Sequence, residues 1–161
     1  MRFVQLEDSR LVKVQTVGLA AFGPINPHTA GSADAIAAFG HPSSAKQSGA
    51  RCSRRWPELG LTIDFAAAGG EDPCGSQTGI EAIRVAGPAA VQAGWRTAEG
   101  IRPGMRVAAA RRRYPDARRT GSGRLVLVEG PEDGDSGEIV TVLAVETAAS
   151  RVTAMTFPIA E

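Results

Sequence analysis

Aromatic side chains are scarce in this 161-residue chain: five phenylalanines, two tryptophans and one tyrosine, 5% in all. Proteins that hold single-stranded nucleic acid do so largely by stacking bases on such rings, so nucleic acid ranks lowest among ligand classes. An excess of charge of one sign is missing too. Eighteen basic and 17 acidic residues leave a formal net charge of +1, and no global field draws the chain to a polyanion. Long apolar runs are absent: the longest, Ile139 to Val145, falls far short of a membrane-spanning helix. Met1 to Asp8 carries neither the apolar core nor the small-residue cleavage site of a secretion signal. No HExxH pair, paired-cysteine zinc pattern, nucleophile elbow, phosphate loop or dinucleotide fingerprint occurs. His28 and His41 stand beside Pro27 and Pro42, in turn chemistry. The expectation is a chain with no catalytic residues, no metal and no cofactor.

The cysteines are two, Cys52 and Cys74. Cys52 sits among Arg51, Arg54 and Arg55, which suggests a thiolate of lowered pKa. On a strand, however, side chains alternate, so Arg51 and Arg55 face away and only Arg54 shares the cysteine's side. Cys74 follows Asp72-Pro73 in a turn-rich segment that would bring the chain back to Cys52. An even cysteine count in an oxidising compartment usually means pairing, and a Cys52–Cys74 disulfide is the expected state over a reactive thiol. The bridge implies an extracellular or cell-envelope location, with the leader absent from this chain.

Apolar periodicity predicts strands over Phe3 to Leu6, Leu11 to Val17, Arg51 to Trp56, Leu59 to Ala66, Ile80 to Val85, Arg124 to Glu129, Glu138 to Glu146 and Arg151 to Phe157. Ser32 is the expected cap of a helix over Ala33 to Phe39, which Gly40 ends and Pro42 keeps from continuing. A second helical region runs from Gly100 to Tyr114. Ile25 and Pro27 correspond to Ile101 and Pro103, and Phe39 to Tyr114, in two stretches of the same order. The fold class is therefore α+β: two tandem pseudo-repeats, each a short helical segment packed on a three- to four-stranded antiparallel meander. Residues 1–17 form an N-terminal hairpin, 18–87 the first repeat, 88–99 a linker and 100–161 the second repeat. Asp133 to Glu138, with its acidic rhythm, reads as a solvated turn rather than a calcium loop.

Gly-Ile-Arg-Pro-Gly-Met at 100–105, the short helix ending in Tyr114-Pro115, and Cys52, Trp56, Gly60-Leu61 and Cys74 together resemble a group of exported bacterial proteins. These are similar in plan to the β-lactamase inhibitory protein, built from tandem helix-loop-helix and antiparallel-sheet units. The resemblance implies a fold and an exported habitat. That inhibitor's binding face is crowded with aromatic residues, and its activity is not carried over to any residue here.

Charge is uneven along the chain. Arg102 to Arg124 holds eight arginines against the single acid Asp116, whereas Glu129 to Glu138 holds five acids and no base. The bland reading of the arginines is a solvated helix face. In the second half, both parities of the strands are apolar, Leu125 and Leu127 against Val126 and Val128, which calls for a cover on each face. Cover from within the chain, by the Leu11 segment or the first repeat's sheet, is the expectation.

Three functional readings follow. The first is a non-catalytic exported binding module for a protein partner, using the sheet surface and loops, with Trp56 and Trp95 as anchors or core. The second is a binder of an anionic ligand, an envelope polymer or lipid head group, through Arg106, Arg112, Arg113, Arg118 and Arg119. The third is a hydrolase whose site is assembled from distant positions.

Overall fold

The computed structural model describes residues 9–15, 18–76, 78–131 and 138–159. Its elements run β1 (Leu11–Gln15), β2 (Gly18–Phe22), α1 (Ser32–Phe39), β3 (Ser44–Ser48), β4 (Arg51–Trp56), a 3₁₀ turn (Pro57–Leu59), β5 (Leu61–Ala67) and β6 (Thr78–Ala86). They continue as α2 (Gly87–Ala93), β7 (Arg96–Thr97), α3 (Val107–Arg113), β8 (Arg118–Arg119), β9 (Leu125–Pro131), β10 (Ile139–Ala148) and β11 (Arg151–Pro158). The fold is α+β and mostly antiparallel.

An eight-stranded sheet in the order β3-β4-β5-β6-β11-β10-β9-β8 carries both halves of the chain, which meet edge to edge where β6 pairs with β11. A second sheet, β2-β1-β7, is small and has one parallel pair. Period-two alternation is legible across the large sheet, because residues opposite one another in register share a face. One row crosses it as Trp56, Leu61, Val85, Met155, Val145 and Leu125. All six are buried. The next row is Arg55, Thr62, Arg84, Thr156, Ala144, Val126 and Arg118, charged at its ends and small in the middle.

The first row faces the core. Val12, Leu19 and Phe22 of the small sheet join it there, as do Ala35 and Phe39 of α1, Ala90 of α2 and Ala110 of α3. Alanines on the buried helix faces let backbones approach the sheet closely. The expected cover of the other face by the Leu11 segment is not found: Val12 is buried in the helix-side core. The both-parity apolar pattern has a different cause. β9 and β10 slip register on either side of Leu143, and these bulges turn consecutive residues, Leu127 with Val128 and Val142 with Leu143, into the core. In the second half of the chain, the apolar residues buried outside it are Val126, Ala144 and Ala154. On that face Arg84 pairs with Glu146 at 2.5 Å and Arg118 with Glu129, long side chains whose stems shield small neighbours.

Local differences from expectation have local causes. The N-cap of α1 is Gly31, not Ser32, and its N–H donates to the Asp34 carboxylate at 2.8 Å. Leu11–Gln15 pairs with Gly18–Phe22, while Phe3 to Leu6 lies outside the described residues, as does the Asp133 to Gly137 turn. β5 begins at Leu61 because Gly60, at φ 59°, closes the 3₁₀ turn in the left-handed region. Residues 88–99, read as a linker, hold most of α2 and all of β7. β3 was not expected: all five of its residues are exposed, and it pairs on one side only, with β4.

Cys52 and Cys74 are joined by a disulfide, their Cα atoms 5.1 Å apart and 22 residues apart in sequence. Arg54, on the cysteine's face as alternation requires, donates to the Cys74 carbonyl at 2.6 Å, so the returning segment is held by both a covalent bond and a charged donor. Replacing both cysteines by alanine should lower unfolding free energy by about 3 kcal/mol, the loop-closure term for a ring of this size. Urea titration of the double variant against the oxidised protein measures it; an unchanged midpoint would show that the bridge constrains nothing.

Candidate functional site

Neither tryptophan is at the surface. Trp56 is 0% and Trp95 1% exposed, a correction to their reading as interface anchors. Their indole N–H groups are spent internally: Trp56 donates to the Gly40 carbonyl and Trp95 to the Leu59 carbonyl, both at 2.8 Å. Trp95 stacks on Phe22 with ring centroids 4.5 Å apart and meets Phe39 edge-on at 5.8 Å. The Arg10 guanidinium lies 4.9 Å from the Trp95 ring centre, and burial lowers its pKa.

Three of the five arginines of the second reading have partners within the chain. Arg113 donates to the Glu99 carbonyl, Arg118 pairs with Glu129, and Arg119 donates to the Gly123 carbonyl and the Thr147 hydroxyl. Arg106 precedes the first turn of α3, and Arg112 is exposed near its end. Beside them, burial raises the Tyr114 phenol above its ordinary value, Glu99 adds to this through its charge and a hydrogen bond, and Arg113 opposes it. Among the described residues no group of three histidine, cysteine or acidic side chains could hold a metal ion, and no helix is long and apolar enough to cross a membrane.

What the structure does assemble is a groove that no sequence motif announced. Its first wall is α2. Pro88 in the first turn and Gly94 in the left-handed region after the last turn delimit this short helix. It is seated on the 3₁₀ turn through Gly60, where a methyl group would lie 2.5 Å from the Ala86 carbonyl oxygen and the Ala90 nitrogen. Ala90 is thereby buried, and its neighbour Val91 is left 50% exposed.

The opposite wall comes from Pro103-Gly104 and the β10–β11 turn. Ile101 is anchored by paired backbone and hydroxyl bonds to Thr97, at 2.9 and 3.0 Å. Gly104 then donates its N–H to the Val152 carbonyl at 2.7 Å and accepts from the Arg151 guanidinium at 2.8 Å. The turn itself places two non-glycine residues at positive φ, Ala149 at 49° and Ser150 at 64°, a conformation that tight hairpins reserve for asparagine and glycine.

Two lobes result. The larger, ≈ 520 Å³, lies between Pro88, Val91 and Gln92 on one side and Pro103, Ala148, Arg151 and Val152 on the other. The smaller, ≈ 360 Å³, is bounded by Val91, Trp95, Arg96, Arg102 and Pro103. Val91, Pro103 and Gly104 border both, so the lobes flank the place where Val91 approaches Gly104. Among the described residues no acidic side chain borders either. An apolar cleft with few polar groups at its rim is the usual form of a binding site.

No known protein family matches this chain, and no curated protein or solved structure is significantly similar to it. The likeness to the β-lactamase inhibitory protein in plan therefore rests on the sequence motifs alone.

Two substitutions test the construction of the cleft. Gly104 has φ 89°, and a methyl group there would stand 3.3 Å from Val91. Gly104→Ala should cost about 1–2 kcal/mol, and part of that cost should disappear when Val91 is also alanine, a coupling that a double-mutant cycle in urea reads directly. Trp95→Phe keeps the ring stack but strands the Leu59 carbonyl. A loss of about 1–2 kcal/mol is expected from the same titration.

Proposed function

We propose that this chain is a non-catalytic, exported binding module for a protein partner, and that the cleft around Val91 is where the partner docks. The observation that carries the reading is the cleft's uncovered apolar surface. Val91 is one of two large hydrophobic side chains well exposed among the described residues, and it stands between two lobes with apolar walls. Water in such a cleft is released when an apolar segment enters, the main driving force of protein association. The walls are rigid: α2 is locked to the 3₁₀ turn, and Gly104 is bonded on both its backbone groups. A preformed cleft does not spend binding energy on ordering itself. Export is supported by the disulfide, a bond that persists in oxidising compartments.

Docking of a protein can be caught covalently. A photoreactive benzoylphenylalanine in place of Gln92, which borders the larger lobe, should cross-link one defined protein of the native envelope or culture fluid. The same group in place of Thr62, on the open sheet face, should not. Val91→Asp in the Gln92 probe should abolish the product, and the captured protein, once purified, should bind the unmodified chain but not Val91→Asp. Equal labelling from both positions, or labelling indifferent to Val91→Asp, would remove the cleft from the function.

A further inference from the structure

We infer that the cleft takes a carboxylate-bearing apolar segment of the partner: a short stretch of chain with aliphatic or aromatic side chains flanked by aspartate or glutamate. This rests on the cleft being a docking site and adds what docks there.

Arg102 and Arg151, which border the cleft, have no acidic partner among the described residues. Arg102 borders the smaller lobe, is exposed, and has no side-chain partner among the described residues. Arg151 borders the larger lobe, and its bond goes to an uncharged carbonyl, that of Gly104. Arg106 lies directly opposite Arg151 across an isolated antiparallel bridge. Like charges in that relation repel, and proteins ordinarily separate them or place a carboxylate between them. Here neither arginine has an acidic partner among the described residues, although elsewhere arginines do find carboxylates: Arg51 with Glu81, Arg84 and Arg124 with Glu146, and Arg118 with Glu129. Arg102 and Arg151 thus border the lobes, Arg106 lies opposite Arg151, and none of the three has an acidic partner among the described residues. Incoming carboxylates would relieve the Arg106–Arg151 repulsion and form charge-assisted, bidentate bonds, while apolar side chains fill the lobes on either side of Val91.

The shape favours a peptide over a free acyl chain. Val91 and Gly104 divide an open cleft into two compartments, which suits two side chains of one segment better than a continuous hydrocarbon tail, which would want an enclosed channel.

The test is selection of random peptides displayed on phage against the immobilised, oxidised protein, followed by titration of synthetic copies of the enriched sequences. Expected are peptides with aspartate or glutamate beside leucine, isoleucine, valine or phenylalanine. Their binding should be lost in Val91→Asp and weakened about tenfold or more by Arg102→Glu and by Arg106→Glu. It should also weaken as salt rises from about 50 to about 500 mM. All three positions are exposed or half-exposed, and an unchanged urea midpoint confirms that each variant is folded. Peptides that need Val91 but show no acidic enrichment and no response to the arginine reversals would overturn this inference and leave the cleft as a docking site. Binding indifferent to Val91→Asp would overturn both. Displacement of the peptides by dodecanoate at lower concentration than by their own free copies would assign the cleft to an acyl carboxylate instead. Self-association in sedimentation that Val91→Asp abolishes would assign it to a second copy.

Discussion

The indole of Trp95 stands where several parts of the chain meet. Its face stacks on Phe22 of the small sheet, its edge meets Phe39 of α1, its N–H holds the Leu59 carbonyl of the 3₁₀ turn, and the Arg10 guanidinium approaches the ring. Phe22 in turn touches Phe157 of β11, and Phe39 touches Trp56 of β4. Most of the chain's few aromatic residues are therefore spent on one cluster that fastens the helices and the small sheet to the large one. Trp95 also borders the smaller lobe of the cleft. The residue that closes the core thus also limits the smaller lobe, so one side of the candidate site is set by core packing.

The outer face of the large sheet is sheltered by its own side chains. The row that faces away from the helices has small side chains at its centre, Thr156, Ala144 and Val126, between charged residues. Arg84, Glu146, Arg118 and Glu129 carry apolar stems as well as charges, and beside residues this small the stems are sufficient shelter. A face of large aliphatic residues would have needed a second layer. The bulges near Leu143 contribute to the same result, because they send the bulky neighbours Val142 and Leu143 both to the core side.

Much of this was legible in the sequence, for reasons that differ by element. β4 was read to its ends, because Gly49 and Pro57 flank a run of strand formers, and the facing of Cys52 and Arg54 followed from simple alternation. β3 was missed because Ser44–Ser48 has no buried side chain, and an edge strand with both faces wet has no apolar period to detect. α2 was read as a joint because seven residues rich in alanine, between glycines, have little amphipathic signal. Pro88 and Gly94 were the available clues, start and stop in the right order. The cleft itself could not be seen. Its walls come from α2, from the Pro103 loop and from the β10–β11 turn, and only the pairing of β6 with β11 brings those three segments to one end of the sheet. Trp56 and Trp95, open between anchor and core in the sequence, are buried for a related reason: a large aromatic side chain stabilises a core and an interface by the same burial, and the sequence does not say which.

Net charge conceals how the arginines are used. A formal total of +1 suggests balance, yet the balance is local. On the sheet's open face, acids and bases meet in pairs, and such exposed pairs mainly keep the surface soluble and the strand register correct. At the cleft, Arg102 and Arg151 have no acid within the described residues to meet, and Arg106, opposite Arg151, has none either. Solubility alone would be served equally well by acids interspersed among these arginines, as they are on the sheet. One-sided charge is useful where a surface must prefer one sign of partner, since it speeds encounter with the right charge and penalises the wrong one. In the proposed docking role, such a cleft would select twice: hydrophobic side chains for the lobes and carboxylates for the rim beside them.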